Sequence, residues 1–151
     1  MRRSEKQITN PKEIESIIRK GTLCFLSTVD DGKPYIIPLN YGYDNDALYF
    51  HSAPEGRKID ILRKNPNVCF SIVSDHEFIK GKDACSWSSR YTSVIGTGKA
   101  FIIDDREQKE NALVVLMGQY SSEKYDFTGV TLDNMVIIKV DIEEIEGKRS
   151  T

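Results

Sequence analysis

Two turn signals constrain this chain more than any other feature. Asp31-Gly32 separates the apolar runs TLCFLSTV and PYIIPLNYGY, and Asp44-Asn45-Asp46 reverses the chain again into ALYFHS. An Asp-Gly pair between two strand-like runs is a hairpin signal, because it tolerates the positive backbone angles that a tight turn needs. Each run should therefore lie antiparallel to the next. Three later stretches continue the pattern: VCFSIV from Val68, a long run from Trp87 to Ile103, and Met135 to Ile145 with Val136, Ile138, Val140 and Ile142 on one face. Three helices fall between them. Asn10, Pro11 and Glu13 start the first as cap, first turn and capping-box partner, and Ile14, Ile17 and Ile18 form its apolar stripe before Gly21. The second starts near Arg57 and ends at Asn65-Pro66. The third is capped by Asp104 or Asp105 and runs to about Met117, with Ala112, Leu113, Leu116 and Met117 inward. Six or so strands in meander-like order predict a small, mostly antiparallel barrel with flanking helices. Closure of such a barrel removes exposed strand edges.

At 151 residues the chain fits one domain spanning 1–151, large enough to bury a core without disulfide staples. A net charge of -2 gives no reason to expect a nucleic-acid partner. No apolar run approaches the roughly 20 residues of a membrane span, and MRRSEKQITN lacks the apolar stretch of a signal peptide, which makes the cytoplasm the default. Cys24, Cys69 and Cys85 show no C-x-x-C spacing, and the first two read as small buried hydrophobes within strands. The polar segment from Ser74 to Lys82 reads as a loop. Its Asp75, His76 and Glu77 are adjacent, which suits solvation better than metal ligation. Gly96 and Gly98 lack the third glycine and following helix of a dinucleotide fingerprint, and mark instead a bend or a crowded packing point.

The stretch LYFHSAPEGRKIDIL, from Leu48 to Leu62, carries the chemistry. Ser52-Ala53-Pro54-Glu55 scans as a capping box, but Pro54 and Gly56 suit a loop better than a helix interior. That choice puts Arg57 and Lys58 in the first helical turn, where the peptide dipoles already concentrate positive charge. An anion removes the conflict, and exposed N–H groups plus two cations suit a phosphate. In PYIIPLNYGY one face is bulky, while the other offers Ile36, Pro38, Asn40 and Gly42. Pro38 disfavours a central strand, and Pro38 and Gly42 flanking Asn40 let a flat ligand approach the backbone, unless they mark a bulge or bend.

Taken together, PYIIPLNYGY, LYFHSAPEGRKIDIL, NPNVCFSIV and YTSVIGTGKAF resemble the pyridoxamine 5′-phosphate oxidase-like FMN-binding split barrels, and within them the nitroimidazole-resistance branch. The resemblance runs from about Arg2 to Val140, with His-Ser-Ala…Gly-Arg-Lys as its most specific part. It implies a homodimer with FMN at the subunit interface. It also implies main-chain contacts to the isoalloxazine from Ile36, Ile37, Pro38, Leu39 and Asn40. His51 and Ser52 would border the flavin and ribityl chain, and Arg57 with Lys58, preceded by Gly56, would hold the phosphate. The segment carrying Trp87, Tyr91 and Ser93 matches a strand near the cofactor. No substrate-phosphate site like that of the true oxidases is recognisable.

Three readings follow. The first is an FMN-dependent oxidoreductase reducing a small, flat, electron-poor compound such as a nitro compound, with His51 either donating a proton or only shaping the pocket. The second is a flavin-binding module that senses, stores or carries FMN without turnover. The third replaces FMN with haem or another flavin, with His51 or His76 as an axial ligand to haem.

Overall fold

The computed structural model describes residues 4–150; Arg2 and Arg3 of the basic start, with Met1 and Thr151, lie outside the described residues. In chain order the elements are β1 (Gln7–Ile8), α1 (Pro11–Lys20), β2 (Cys24–Asp30), β3 (Lys33–Leu39), β4 (Gly42–Asp44), β5 (Ala47–Ser52), α2 (Arg57–Lys64), β6 (Asn67–Ile79), β7 (Ser88–Ile103), α3 (Arg106–Gly118) and β8 (Val136–Ser150). All strand pairs are antiparallel in one eight-stranded sheet of order β3-β2-β6-β7-β8-β5-β4, with β1 added beside the end of β8.

Both hairpins form where the turn chemistry placed them. Asp31 and Gly32 have φ of 49° and 80°, and Asn45 and Asp46 have 47° and 56°, which are the left-handed angles of tight hairpin turns. The strand count exceeds the six expected, and the sheet is not closed: among the described residues β3 and β4 remain edges. Closure is unnecessary because both edges are blunted. β3 carries Pro34 and Pro38, and β4 is three residues long. The two strands that sequence reading missed or shortened are polar. β1 is only Gln7-Ile8, and β8 continues past Ile145 through Glu-Gly-Lys-Arg-Ser because β7 and β1 supply hydrogen-bond partners on both sides.

The expected loop at Ser74 to Lys82 is another correction. β6 runs on through Ile79 paired with β7, with a bulge between Ser74 and Glu77 where Asp75 takes φ 55°. Pairing in this hairpin arm overrides a polar composition. Gly96 and Gly98 are crowded as anticipated: a β-carbon at either would collide with Phe70 or with the carbonyls of β8, beside the bulge at Thr97/Gly98.

The core lies on one side of the sheet, where Leu26, Phe50, Phe70, Ile72, Ile138 and Val140 are fully buried and meet Ile14, Ile17 and Ile18 of α1. Asn10 caps α1 by accepting from the Lys12 and Glu13 amides at 3.0 and 3.3 Å. Glu13 does not return a capping-box bond; its carboxylate pairs with Arg149 of β8 instead. Asp105 caps α3, accepting from the Gln108 amide at 3.0 Å. On α3, Ala112 and Leu116 are buried, Leu113 and Met117 only partly so, and Lys109 is buried in their company. Cys24 is buried, and burial pushes its thiol up to about 12. Cys69, read as buried, is exposed on the opposite face of the sheet. No helix among the described residues is long and apolar enough to cross a membrane.

Candidate functional site

β5 delivers His51 and Ser52 to one end of the sheet, where they pair with Ile137 and Val136 of β8. Alternation along the strand sends them to opposite sides. His51 faces solvent, while Ser52 is buried with its hydroxyl donating to the Ala53 carbonyl at 2.9 Å. After Ala53-Pro54-Glu55 the chain passes through Gly56 at φ 110°, an angle that only glycine adopts readily, and enters α2.

Gly56 is the N-cap of α2, and no side chain caps the helix. The amides of Ile59 and Asp60 turn back to the Gly56 carbonyl at 2.9 and 3.1 Å, which leaves those of Arg57 and Lys58 directed outward. Neither Arg57 nor Lys58 is ion-paired to a carboxylate among the described residues. The Arg57 guanidinium lies over the ring of Tyr35 at 4.4 Å, which fixes it against β3 and keeps its N–H edges free. Two outward amides and the Arg57 guanidinium, with Lys58 in the same helical turn, thus stand at the positive end of a helix dipole. This donor set fits a phosphate group.

Tyr35 is the third residue of β3, an edge strand. Prolines are tolerated where a strand's N–H faces away from its partner, so Pro34 and Pro38 direct the Ile36 amide between them to the open edge of β3. Ile36 is 60% exposed. Ile37 and Leu39 are half-buried on the other face. The expected thin face does not extend further. Asn40 lies beyond β3, and its side-chain amide is engaged by the Thr22 carbonyl at 3.2 Å and the Tyr120 hydroxyl at 3.4 Å. Gly42 is thin for α3 instead, since a β-carbon there would stand 2.6 Å from the Leu116 backbone.

The third predicted group stands apart. Tyr35 pairs with Thr28, Ser27 with Cys69 and Cys69 with Thr97, so the Arg57–Tyr35 contact is level with about Gly98 on β7. Tyr91 lies further along the same strand, roughly 23 Å away at about 3.3 Å per residue, and Trp87 precedes it. Tyr91 is half-buried beneath the Lys148 ammonium, Ser93 is buried, and Trp87 is 52% exposed on the β6–β7 arm. One chain does not bring these residues to Arg57. Among the described residues no group of three or more His, Cys, Asp and Glu side chains could hold a metal ion.

Sequence reading missed Tyr35 as the support of Arg57, and nothing local in the sequence links the two. It also missed Gln119 and Tyr120. The Gln119 amide donates to the carbonyls of Ile18, Arg19 and Gly21, and the Tyr120 hydroxyl accepts from the Tyr41 amide at 2.8 Å.

Residues 10–149 match the family model described as pyridoxamine 5′-phosphate oxidase. A candidate 5-nitroimidazole antibiotic resistance protein of Bacteroides thetaiotaomicron is 37% identical, with a TM-score of 0.83 over 95% of this chain and 86% of that one. An FAD and haem binding protein of Mycobacterium smegmatis shares the fold at 19% identity, with a TM-score of 0.80 over 96% and 73% of the two chains. An FAD-binding protein of Mesorhizobium loti does so at 23% identity, with a TM-score of 0.69 over 95% and 96%. No curated protein matches the chain.

Proposed function

The chain belongs to the pyridoxamine 5′-phosphate oxidase family, and on that premise we propose that it is an FMN-binding flavoprotein that reduces small, flat, electron-poor compounds, nitro compounds among them. The observation that carries the reading is the uncapped start of α2, where Arg57 and Lys58 have no acidic partner among the described residues and the backbone supplies further donors. FMN, when bound, supplies the redox chemistry. The protein's part is to hold the phosphate with the Arg57 and Lys58 side chains and amides, and to offer the Ile36 to Leu39 backbone of β3 to the ring system. In this reading His51, exposed near the end of β5, gives a proton to the reduced substrate.

The working unit of this proposal is a homodimer. Phe25, Ile36, Val73 and Ile95 are 39–60% exposed on the outer face of β2, β3, β6 and β7, and an apolar face of this kind marks a protein interface. A partner's β6–β7 arm also offers a way for Trp87 and Tyr91 to approach a site that their own chain keeps distant. Names of related proteins point to nitroimidazoles and to flavins as ligand classes. The absorption spectrum of the protein as purified tests the cofactor: flavin bands are expected, and a Soret band without them overturns FMN. Steady-state reduction of a nitroaromatic with NAD(P)H tests the activity, and a rate no faster than free FMN gives reduces the protein to a flavin carrier.

A further inference from the structure

The segment between α3 and β8 has no regular structure, yet both of its ends are fastened with care. At its start, the Gln119 side-chain amide spans the carbonyls of Ile18 and Arg19 in the last turn of α1 and of Gly21 just after it, at 2.9–3.1 Å, and the Tyr120 hydroxyl binds the Tyr41 amide and the Thr22 carbonyl. At its end Leu132 is buried, and the buried Lys109 ammonium donates to the carbonyls of Leu132 and Met135 at 2.9 and 3.1 Å. Arg106 holds the Val130 carbonyl at 3.1 Å. Between these feet, the Ser121 amide still donates to the Met117 carbonyl of α3 at 2.9 Å; beyond it the chain is exposed apart from the half-buried Phe127, and the hydrogen bonds found there are its own: Tyr125 to Ser121 and Glu123, the Thr128 amide to Asp126, and the Val130 amide to the Phe127 carbonyl.

The feet stand at informative places. The first rests on Asn40 and Tyr41, where β3 ends. The second leads directly into Val136, the strand partner of Ser52, one residue from His51 and next to the loop that enters α2. A segment anchored to the two ends of a site, and bonded only to itself between them, is free to move as a unit at low energetic cost. We infer that residues 122–129 form a strap that closes over the His51 side of the site when a flat aromatic ligand is bound, with Tyr125 as the aromatic side chain it brings. This inference rests on the flavin reading above. It adds a moving wall that excludes water from the ligand.

Limited trypsin digestion of the full chain, with and without FMN and followed by mass spectrometry, tests it. Lys124 lies within the strap, and Lys6 precedes β1, which pairs with the end of β8 remote from Val136. If cleavage needs the open strap and FMN favours the closed one, FMN at ten times its Kd slows cleavage after Lys124 about tenfold while cleavage after Lys6 is unchanged. Equal slowing at both positions reports only global stabilisation and overturns the strap. Unchanged cleavage after Lys124, with flavin shown to be bound by its fluorescence, overturns the strap and leaves the flavin site standing. Absence of flavin binding overturns both.

Discussion

Single residues show how much of this fold is held by buried polar groups rather than by apolar packing alone. The Lys109 ammonium makes three hydrogen bonds, to Asp104 at 2.8 Å and to two carbonyls, and its side chain is 5% exposed. Lys109→Met keeps the bulk but strands those carbonyls. The expected loss is about 2–4 kcal/mol, since bonds to a charged group are worth about 1.5–3 kcal/mol each and are not additive; urea denaturation measures it. Cys24 gives a pH signature. Its thiol ionises near 9.0 when unfolded and near 12 when buried in the fold, so the folded chain keeps a proton that the unfolded chain sheds in that window. Its contribution to stability is complete below pH 9 and disappears as pH rises toward about 12. Burial raises Tyr43 to about 12 as well, and raises Tyr41, so both add to the same alkaline fall. Urea midpoints recorded from pH 8 to 11 should decline, and should decline less steeply in Cys24→Ala.

Elements are positioned by a few close approaches. At Gly42 the backbone of β4 meets that of α3, so Gly42→Ala forces the helix away rather than displacing a flexible side chain. Overpacking of this kind costs about 1–3 kcal/mol, and a lowered thermal midpoint is the expected readout. Such contacts also mark the limit of what the sequence reveals. Turns, caps and the start of α2 were legible, because Asp-Gly, Asn-Pro and Gly-Arg-Lys act through the backbone within a few residues. The polar half of β6, the tail of β8 and the two-residue β1 were not, because their strand character comes from partners distant in sequence. The same reason hid the site's supports. Arg57 and Lys58 could be singled out from a misplaced charge, but Tyr35 beneath Arg57 and Tyr120 beside Asn40 are joined only by the folded sheet.

At the scale of the whole molecule, the proposed homodimer would account both for the exposed apolar sheet face and for the distance of Trp87 from Arg57. Sedimentation velocity should report twice the 17.2 kDa chain mass. Phe25→Asp with Ile95→Asp places charges on that face, and should yield monomers that bind flavin more weakly. A well-folded monomer with undiminished flavin affinity contradicts the shared site. The phosphate site at the start of α2 is tested most directly by comparing FMN with riboflavin, because the two differ only in the phosphate. Fluorescence titration should find FMN bound far more tightly than riboflavin. Arg57→Ala with Lys58→Ala should then weaken FMN by about a hundredfold or more, from two charge-assisted bonds of about 1.5–3 kcal/mol each, and leave riboflavin nearly unchanged. Equal affinity for FMN and riboflavin in the native chain, or FMN affinity untouched by the double substitution, would contradict the account.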